Sequence, residues 1–171
     1  MSPYPTCMLE FAARFSASSA RADLLLSLLD FRSALRAAGI VEAFQWIDGS
    51  FVEDIENIRG RPPGDIDVVT FGRIPDSADQ VAFRAWTVTH QALFDPRVTK
   101  RLFQCDAYFV DIGKSPQRVV DDTRYWYGLF SHQRETFLWK GMIQIPLNSN
   151  DEEAREMLQE VLSGRRGDDN A

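Results

Sequence analysis

The sequence is poor in the residues that build soft-metal and redox sites. Its 171 residues include only two cysteines, Cys7 and Cys105, and two histidines, His90 and His132. The cysteines have no metal-ligand spacing, which excludes a zinc-finger pattern and a disulfide framework and fits a reducing, cytoplasmic location. Lysine is scarce as well, and the cations are almost all arginine. The formal net charge of −6 and pI near 4.9 exclude general DNA binding by a basic surface. No apolar run approaches the roughly 20 residues that span a bilayer, and Met1-Ser2-Pro3-Tyr4-Pro5 lacks a signal-peptide layout, so no membrane association is expected. What remains is ordinary for one globular domain: 44% hydrophobic and 26% charged residues.

The first residues, with two prolines and a loosely patterned Leu9-Glu10-Phe11, read as an irregular or edge segment. Ser18, Ser19 and Asp23 open a helix whose Leu24, Leu28, Phe31, Leu35 and Ala38 share a face, and Gly39 stops it. A strand follows over 43–47. Residues 53–64, with Asn57, Gly60, Pro62, Pro63 and Gly64, read as a loop by turn chemistry. A second strand covers 66–71. Asp76, Ser77 and Asp79 open the next helix, with Val81, Ala85, Val88, Ala92, Trp86 and Leu93 toward the core. Asp95-Pro96 ends it, and a short helical piece carries Arg97, Lys100 and Arg101. A strand over 102–110 precedes Ser115-Pro116, a cap with proline at the first helical position. The helix it launches points Val119, Thr123, Trp126 and Phe130 to one side. Residues 137–147 suggest a final strand, with Pro146 at its end or edge. Asn148, Ser149 or Asp151 caps a last helix with Ala154, Met157, Leu158, Val161 and Leu162 inward. This is a single α/β (α+β) domain over 1–164 with a polar tail, 165–171, expected to be disordered.

The chemistry concentrates in two stretches. Trp46-Ile47-Asp48-Gly49-Ser50-Phe51 is an apolar run ending in a sharp turn, and Gly64-Asp65-Ile66-Asp67-Val68-Val69 alternates like a strand. Residues two apart on a strand share a face, so Asp65 and Asp67 point the same way. Two close carboxylates repel unless a cation lies between them, and a hard divalent ion with oxygen ligands such as Mg²⁺ or Mn²⁺ suits them. Gly49 and Ser50 offer backbone N–H groups and a hydroxyl to an anion. The bland alternatives are a solvated strand end for the two acids and a plain turn for Ser50.

These residues, over roughly 41–112, resemble the nucleotidyltransferase superfamily of polymerase-β-like fold, and among its members the small bacterial minimal nucleotidyltransferases. The resemblance implies a mixed β-sheet flanked by helices and a metal-dependent transfer of a nucleoside monophosphate from an NTP to an acceptor hydroxyl. ATP is the expected donor, and a protein or RNA partner in a toxin–antitoxin or defence setting the expected acceptor. It implies metal ligands and catalytic residues at Asp65 and Asp67, and nucleotide contacts at Gly49 and Ser50. A third carboxylate is expected on a later strand. Asp106, between Cys105 and Ala107, is preferred to Asp111, which on an unbroken strand would face the opposite side. Many relatives carry an arginine shortly after Gly-Ser, where this chain has Val52 and Glu53. They also place an apolar residue where this chain has Asp48, which is read as a cap of the turn in preference to a further acid of the site.

Several other residues are candidates. Arg59 and Arg61 could reach a triphosphate as forked donors or stand solvated. The aromatic run Tyr125–Phe130, with His132 and Arg134 beyond it, could stack a base and meet phosphate, or form core plus a partner-facing patch. Arg134 is counted with Arg61 among the nucleotide contacts. Lys140 could bring a cation to the site, and His90 reads as a packed surface residue. The competing function is a catalytically inactive binding module that keeps the same fold.

Overall fold

The computed structural model describes residues 1–76, 78–133 and 136–168, with side chains to Arg165 in the last helix. Among them are seven α-helices and a five-stranded mixed sheet forming a single domain. The strands are β1 (Tyr4–Pro5), β2 (Ala43–Asp48), β3 (Ile66–Gly72), β4 (Cys105–Asp111) and β5 (Ile143–Pro146), in the order β1-β5-β2-β3-β4. β2 is antiparallel to β3 and β5; β3 is parallel to β4, and β1 to β5.

Alternation along the strands separates two layers. Ile47, Ile66, Val68, Cys105, Ala107 and Ile145 face a core built with α1 (Met8–Phe15), α2 (Ser19–Ala37) and α7 (Asp151–Asp168). Phe103 of α5 (Pro96–Phe103) packs against this core as well. Trp46, Val69, Phe71 and Val110 face the other way, against Phe130, Trp126 and Tyr127 of α6 (Pro116–Phe130) and against Met142. The expected mixed sheet flanked by helices is therefore present.

The helical layer also buries charge. Arg32, fully enclosed, donates to both Asp151 oxygens at 2.8 and 2.7 Å, to Gln45 Oε1 at 2.7 Å and to the carbonyls of Pro146 and Leu147. Gln45 passes the chain of bonds on to Thr70 Oγ1. Each of the three guanidinium nitrogens has at least one acceptor, which is what makes its burial tolerable.

Differences from the sequence expectations have local causes. The N-terminal segment does contain an edge strand, but Cys7 then caps α1, whose Met8, Phe11 and Ala12 are buried. Residues 53–64 are not all loop. A 3-10 turn (Gly49–Val52) is followed by α3 (Ile55–Arg59), anchored by buried Ile55 and ended by Gly60 at φ +65°. The inward face expected for α4 (Gln80–His90) is also wrong: Val81 and Val88 are exposed and no residue of the helix is buried. Of the expected face, Trp86 and, in the 3-10 turn that follows the helix, Leu93 pack against the core, Trp86 Nε1 donating to the Ala38 carbonyl. The strand expected from 102 starts at Cys105, because Leu102 and Phe103 complete α5 and Gln104 closes it at φ +52°. The strand expected over 137–147 shrinks to β5, preceded by exposed Phe137, Leu138 and Trp139. The last helix runs to Asp168 and so takes up part of the segment expected as tail. Its Arg165 donates to the Ser16 and Ala17 carbonyls at 3.0 and 3.1 Å.

Candidate functional site

The ends of three strands meet at one corner of the sheet, on the side that α6 covers only in part. Asp48 ends β2, Asp67 lies near the start of β3 and Asp106 near the start of β4. The registers pair Asp48 with Asp67 and Asp67 with Asp106. Neighbouring strands lie about 5 Å apart and register partners point to the same face, so the three carboxylates form a row across the sheet. Asp65, two residues before Asp67, lines the same cleft. The cleft has a volume of about 380 Å³ and takes in Gly49, Ser50, Glu53, Arg59, Arg61, Lys100, His132 and Lys140 as well. Asp106 is thus the acid brought to Asp65 and Asp67. Asp111 lies at the other end of β4, where its Oδ1 accepts from Gly113 N at 2.9 Å.

Gly49 is fixed by two requirements. Its φ of +79° is a left-handed conformation, and a Cβ there would overlap the Asp67 carboxylate. The tight turn is therefore what lets Asp67 lie over the backbone that precedes Ser50. Behind the turn, Arg21 of α2 donates to the Phe51 and Glu53 carbonyls at 2.6 and 2.7 Å and forks onto Glu56 at 2.6 and 2.8 Å. Sequence reasoning missed this clamp. A signal existed, since Arg21 and Arg32 fall on the apolar stripe of Leu25, Leu28 and Leu35 at spacings of three and four.

The acids are partly neutralised from within. Lys100 of α5 is ion-paired to Asp65 at 2.5 Å, and that bond, helped by the charges of Asp65, Asp106 and Asp67, raises the lysine above its ordinary pKa. Lys140 sits between Asp48 at 2.9 Å and Glu53 at 3.2 Å. The Tyr108 phenol beside Asp106 is pushed up, first by burial and then by that carboxylate. Asp48 is 3% exposed, and burial, outweighing the pull of Lys140, pushes its carboxyl up to about 6. Its side chain makes no well-aligned cap bond to the 3-10 turn, although the Gly49 backbone beside it offsets a little of the rise.

Of the other candidates, Arg61 lines the cleft and donates to its neighbour's carbonyl at 3.3 Å, and Arg59 lines it too. Arg134 lies outside the described residues. In the aromatic run, Trp126, Tyr127 and Phe130 pack on the sheet, Tyr125 is exposed and Leu129 reaches the cleft. His132 lines the cleft and packs, tilted, against Trp139 with ring centroids 4.3 Å apart. His90 bonds the Trp86 carbonyl within its own helix.

A hard cation would find only oxygen donors in the carboxylate row, the right donor set for Mg²⁺ or Mn²⁺. Among the described residues, however, no three acidic, histidine or cysteine side chains are arranged to hold a metal ion. Lys100 already occupies Asp65, so that carboxylate must change partners for the group to close on an ion.

Fold and cleft together define a single mixed α/β domain with an acidic corner. Residues 2–146 match the model of a family described as a family of unknown function (DUF6932), and the chain belongs to that family. The matched span runs from β1 to the end of β5. No curated protein and no solved structure matches the chain.

Proposed function

We propose that the protein is a metal-dependent nucleotidyltransferase that moves a nucleoside monophosphate from an NTP, with ATP the expected donor, to an acceptor hydroxyl on a protein or RNA partner. One observation carries the reading. Asp67 and Asp106 are register partners on adjacent parallel strands, with Asp65 beside them and the Gly49-Ser50 turn directly under Asp67.

In this reaction the acceptor oxygen forms a bond to the α-phosphorus, the bond from that phosphorus to the bridging oxygen breaks, pyrophosphate leaves with that electron pair, and the hydroxyl proton passes to water. Mg²⁺ or Mn²⁺ held by Asp65, Asp67 and Asp106 would supply charge neutralisation and a lowered hydroxyl pKa. The chain's own part is placement. Gly49 and Ser50 present the turn to phosphate, Arg59 and Arg61 line its approach, and Asp106 stands at the outer strand, where an acceptor hydroxyl enters. Lys100, released from Asp65, becomes a cation for the triphosphate side.

Asp106→Ala tests this. Nucleotide affinity in Mn²⁺ should stay near wild type while label transfer from NTP to partner falls by about 3 kcal/mol in transition-state stabilisation, more than a hundredfold. Transfer at the wild-type rate would remove Asp106 from the mechanism. The second reading, a binding module, is favoured by the lysines already seated on Asp48, Glu53 and Asp65. Absence of transfer from the wild type with every nucleotide and its partner present would favour it over the enzyme.

A further inference from the structure

The two edges of the sheet are treated differently. At the β1 edge, the Tyr4 and Thr6 N–H groups donate to the Met142 and Gln144 carbonyls, so the residue between them faces outward. That residue is Pro5, which has no N–H to offer a further strand. At the other edge, β4 is seven residues long and keeps its register with β3 throughout, without a bulge. It contains no proline and no lysine, and its two charges, Asp106 and Asp111, stand toward its ends. Its bonding parity is fixed at both ends. Ile66 N–H donates to the Gln104 carbonyl and Ile112 N–H to the Gly72 carbonyl, each at 3.0 Å. In a parallel ladder alternate residues bond to one neighbour, so Asp106, Tyr108 and Val110 bond to β3. Cys105, Ala107 and Phe109 then turn their N–H and C=O groups outward, and no hydrogen bond among the described residues reaches those groups.

Such an edge is a template for one kind of occupant. Its N–H and C=O groups alternate at strand spacing, and an extended polypeptide carries the matching series of both. A nucleic-acid backbone offers mainly acceptors. Its phosphates would also meet the carboxylates of Asp65, Asp67 and Asp106 on a chain of net charge −6. The parity of the edge fixes what an added strand presents. Asp106 lines the cleft, and a residue opposite it on a sixth strand shares its face at a spacing of about 5 Å. A serine or threonine there sets its hydroxyl beside that carboxylate, at the mouth of the cleft.

We propose that the outer edge of β4 is a docking site for an extended segment of a partner protein, which adds to the sheet as a sixth strand and carries a serine or threonine opposite Asp106. The docking stands on the open edge alone. The hydroxyl's part as acceptor rests on the nucleotidyltransferase reading, and the experiment separates the two. The probe is the peptide acetyl-Lys-Val-Thr-Val-Ser-Val-Thr-Val-Lys-amide, added to the ¹⁵N-labelled full chain and followed by amide resonances and hydrogen exchange. In the free protein the Ala107 and Phe109 amides should exchange roughly tenfold or more faster than those of Tyr108 and Val110. The peptide should shift and protect Ala107 and Phe109 saturably, with a Kd in the micromolar to millimolar range. N-methylation of one alternate set of peptide residues should abolish binding, and methylation of the other set should leave it nearly unchanged, because only one set faces β4. Ala107 and Phe109 amides as slow as Tyr108 in the free protein overturn the proposal, and sedimentation then shows whether a second copy covers the edge. So do resonance changes confined to other elements, absence of binding at millimolar peptide, or equal losses from the two methylated sets. An oligouridylate that shifts these amides where the peptide does not overturns the choice of a protein. With Mn²⁺ and α-labelled ATP, the label should appear on the peptide serine. Docking without label removes the acceptor role and leaves the strand site standing.

Discussion

Replacing Asp48 by asparagine should stabilise the metal-free protein at neutral pH and do nothing at low pH. The carboxyl is 3% exposed, and burial lifts it from 3.8 to about 6 despite Lys140, with Asp67 adding to the rise. Below pH 3.8 the group is protonated in both the folded and unfolded states, and asparagine mimics the neutral acid. Between 3.8 and about 6 the unfolded chain has lost the proton while the folded one keeps it. The folded state then binds more protons, so stability falls as pH rises through that window. Above it both states are ionised and the full burial penalty is present. A carboxyl raised this far carries a penalty of at most about 3 kcal/mol. For a chain of this size that is several degrees in Tm. The groups facing Asp48 are Lys140 and Asp67, with Glu53 on the far side of the lysine. Other acids titrate as well. Asp151, for example, is held low because Arg32 and Arg36 outweigh its burial. The difference between the two proteins is therefore the useful quantity. Calorimetric melts in EDTA from about pH 4 to 8 should give coincident Tm values at the acid end and a gap that opens toward neutrality. A gap that stays flat, or an asparagine variant less stable above neutrality, would refute the argument and make the Asp48–Lys140 pair a net stabiliser.

Two further substitutions probe the turn. Gly49→Ala should destabilise by about 2 kcal/mol or more, since alanine must adopt φ +79° and its Cβ meets the Asp67 carboxylate. Melting temperature and Mn²⁺ titration should both fall, and an unperturbed Mn²⁺ titration would show that Asp67 has room to move. Arg21→Met should cost about 2 kcal/mol in urea unfolding, because the Phe51 and Glu53 carbonyls lose their donor. Arg21→Lys should not restore it, since a single ammonium cannot reproduce the fork; full rescue by lysine would count against the clamp.

The parts of the site legible in the sequence were those fixed by neighbours in the chain. Asp65 and Asp67 share a side because strand periodicity is two, and Gly49 marks a turn because of its backbone freedom. The choice between Asp106 and Asp111 could also be made by parity, and the register of β3 with β4 places Asp106 beside Asp67. What stayed hidden depends on distant partners. Lys140 reaches Asp48 from far along the chain, and Asp151 reaches Arg32 across 119 positions, so neither pair has a local signature. Local rules also misled where tertiary structure overrode them. The Pro/Gly-rich 53–64 stretch still forms α3 because Ile55 has a core to enter. The apolar stripe of α4 finds no such core, and Val81 and Val88 remain outside.

The charge balance of the cleft leads to a last expectation. Among the described residues, five carboxylates, those of Asp48, Glu53, Asp65, Asp67 and Asp106, face four cationic side chains, Arg59, Arg61, Lys100 and Lys140. Among these residues the excess is one negative charge, and both lysines are already bound to acids. A triphosphate entering alone would add several negative charges within a Debye length of about 8 Å of the carboxylates and would have to strip Lys100 or Lys140 from its partner. A divalent cation changes both facts, because it can replace Lys100 at Asp65 and leave that lysine for phosphate. On the nucleotidyltransferase reading, binding of ATP should therefore be conditional on the ion. Calorimetry with ATP in EDTA should show no saturable heat, and addition of Mn²⁺ should produce it. The Lys100→Met variant should bind Mn²⁺ more readily but gain less affinity for ATP from it. Binding of ATP that is equally tight with and without the ion would mean that Arg59 and Arg61 dominate, and the carboxylate row would then have no part in nucleotide recognition.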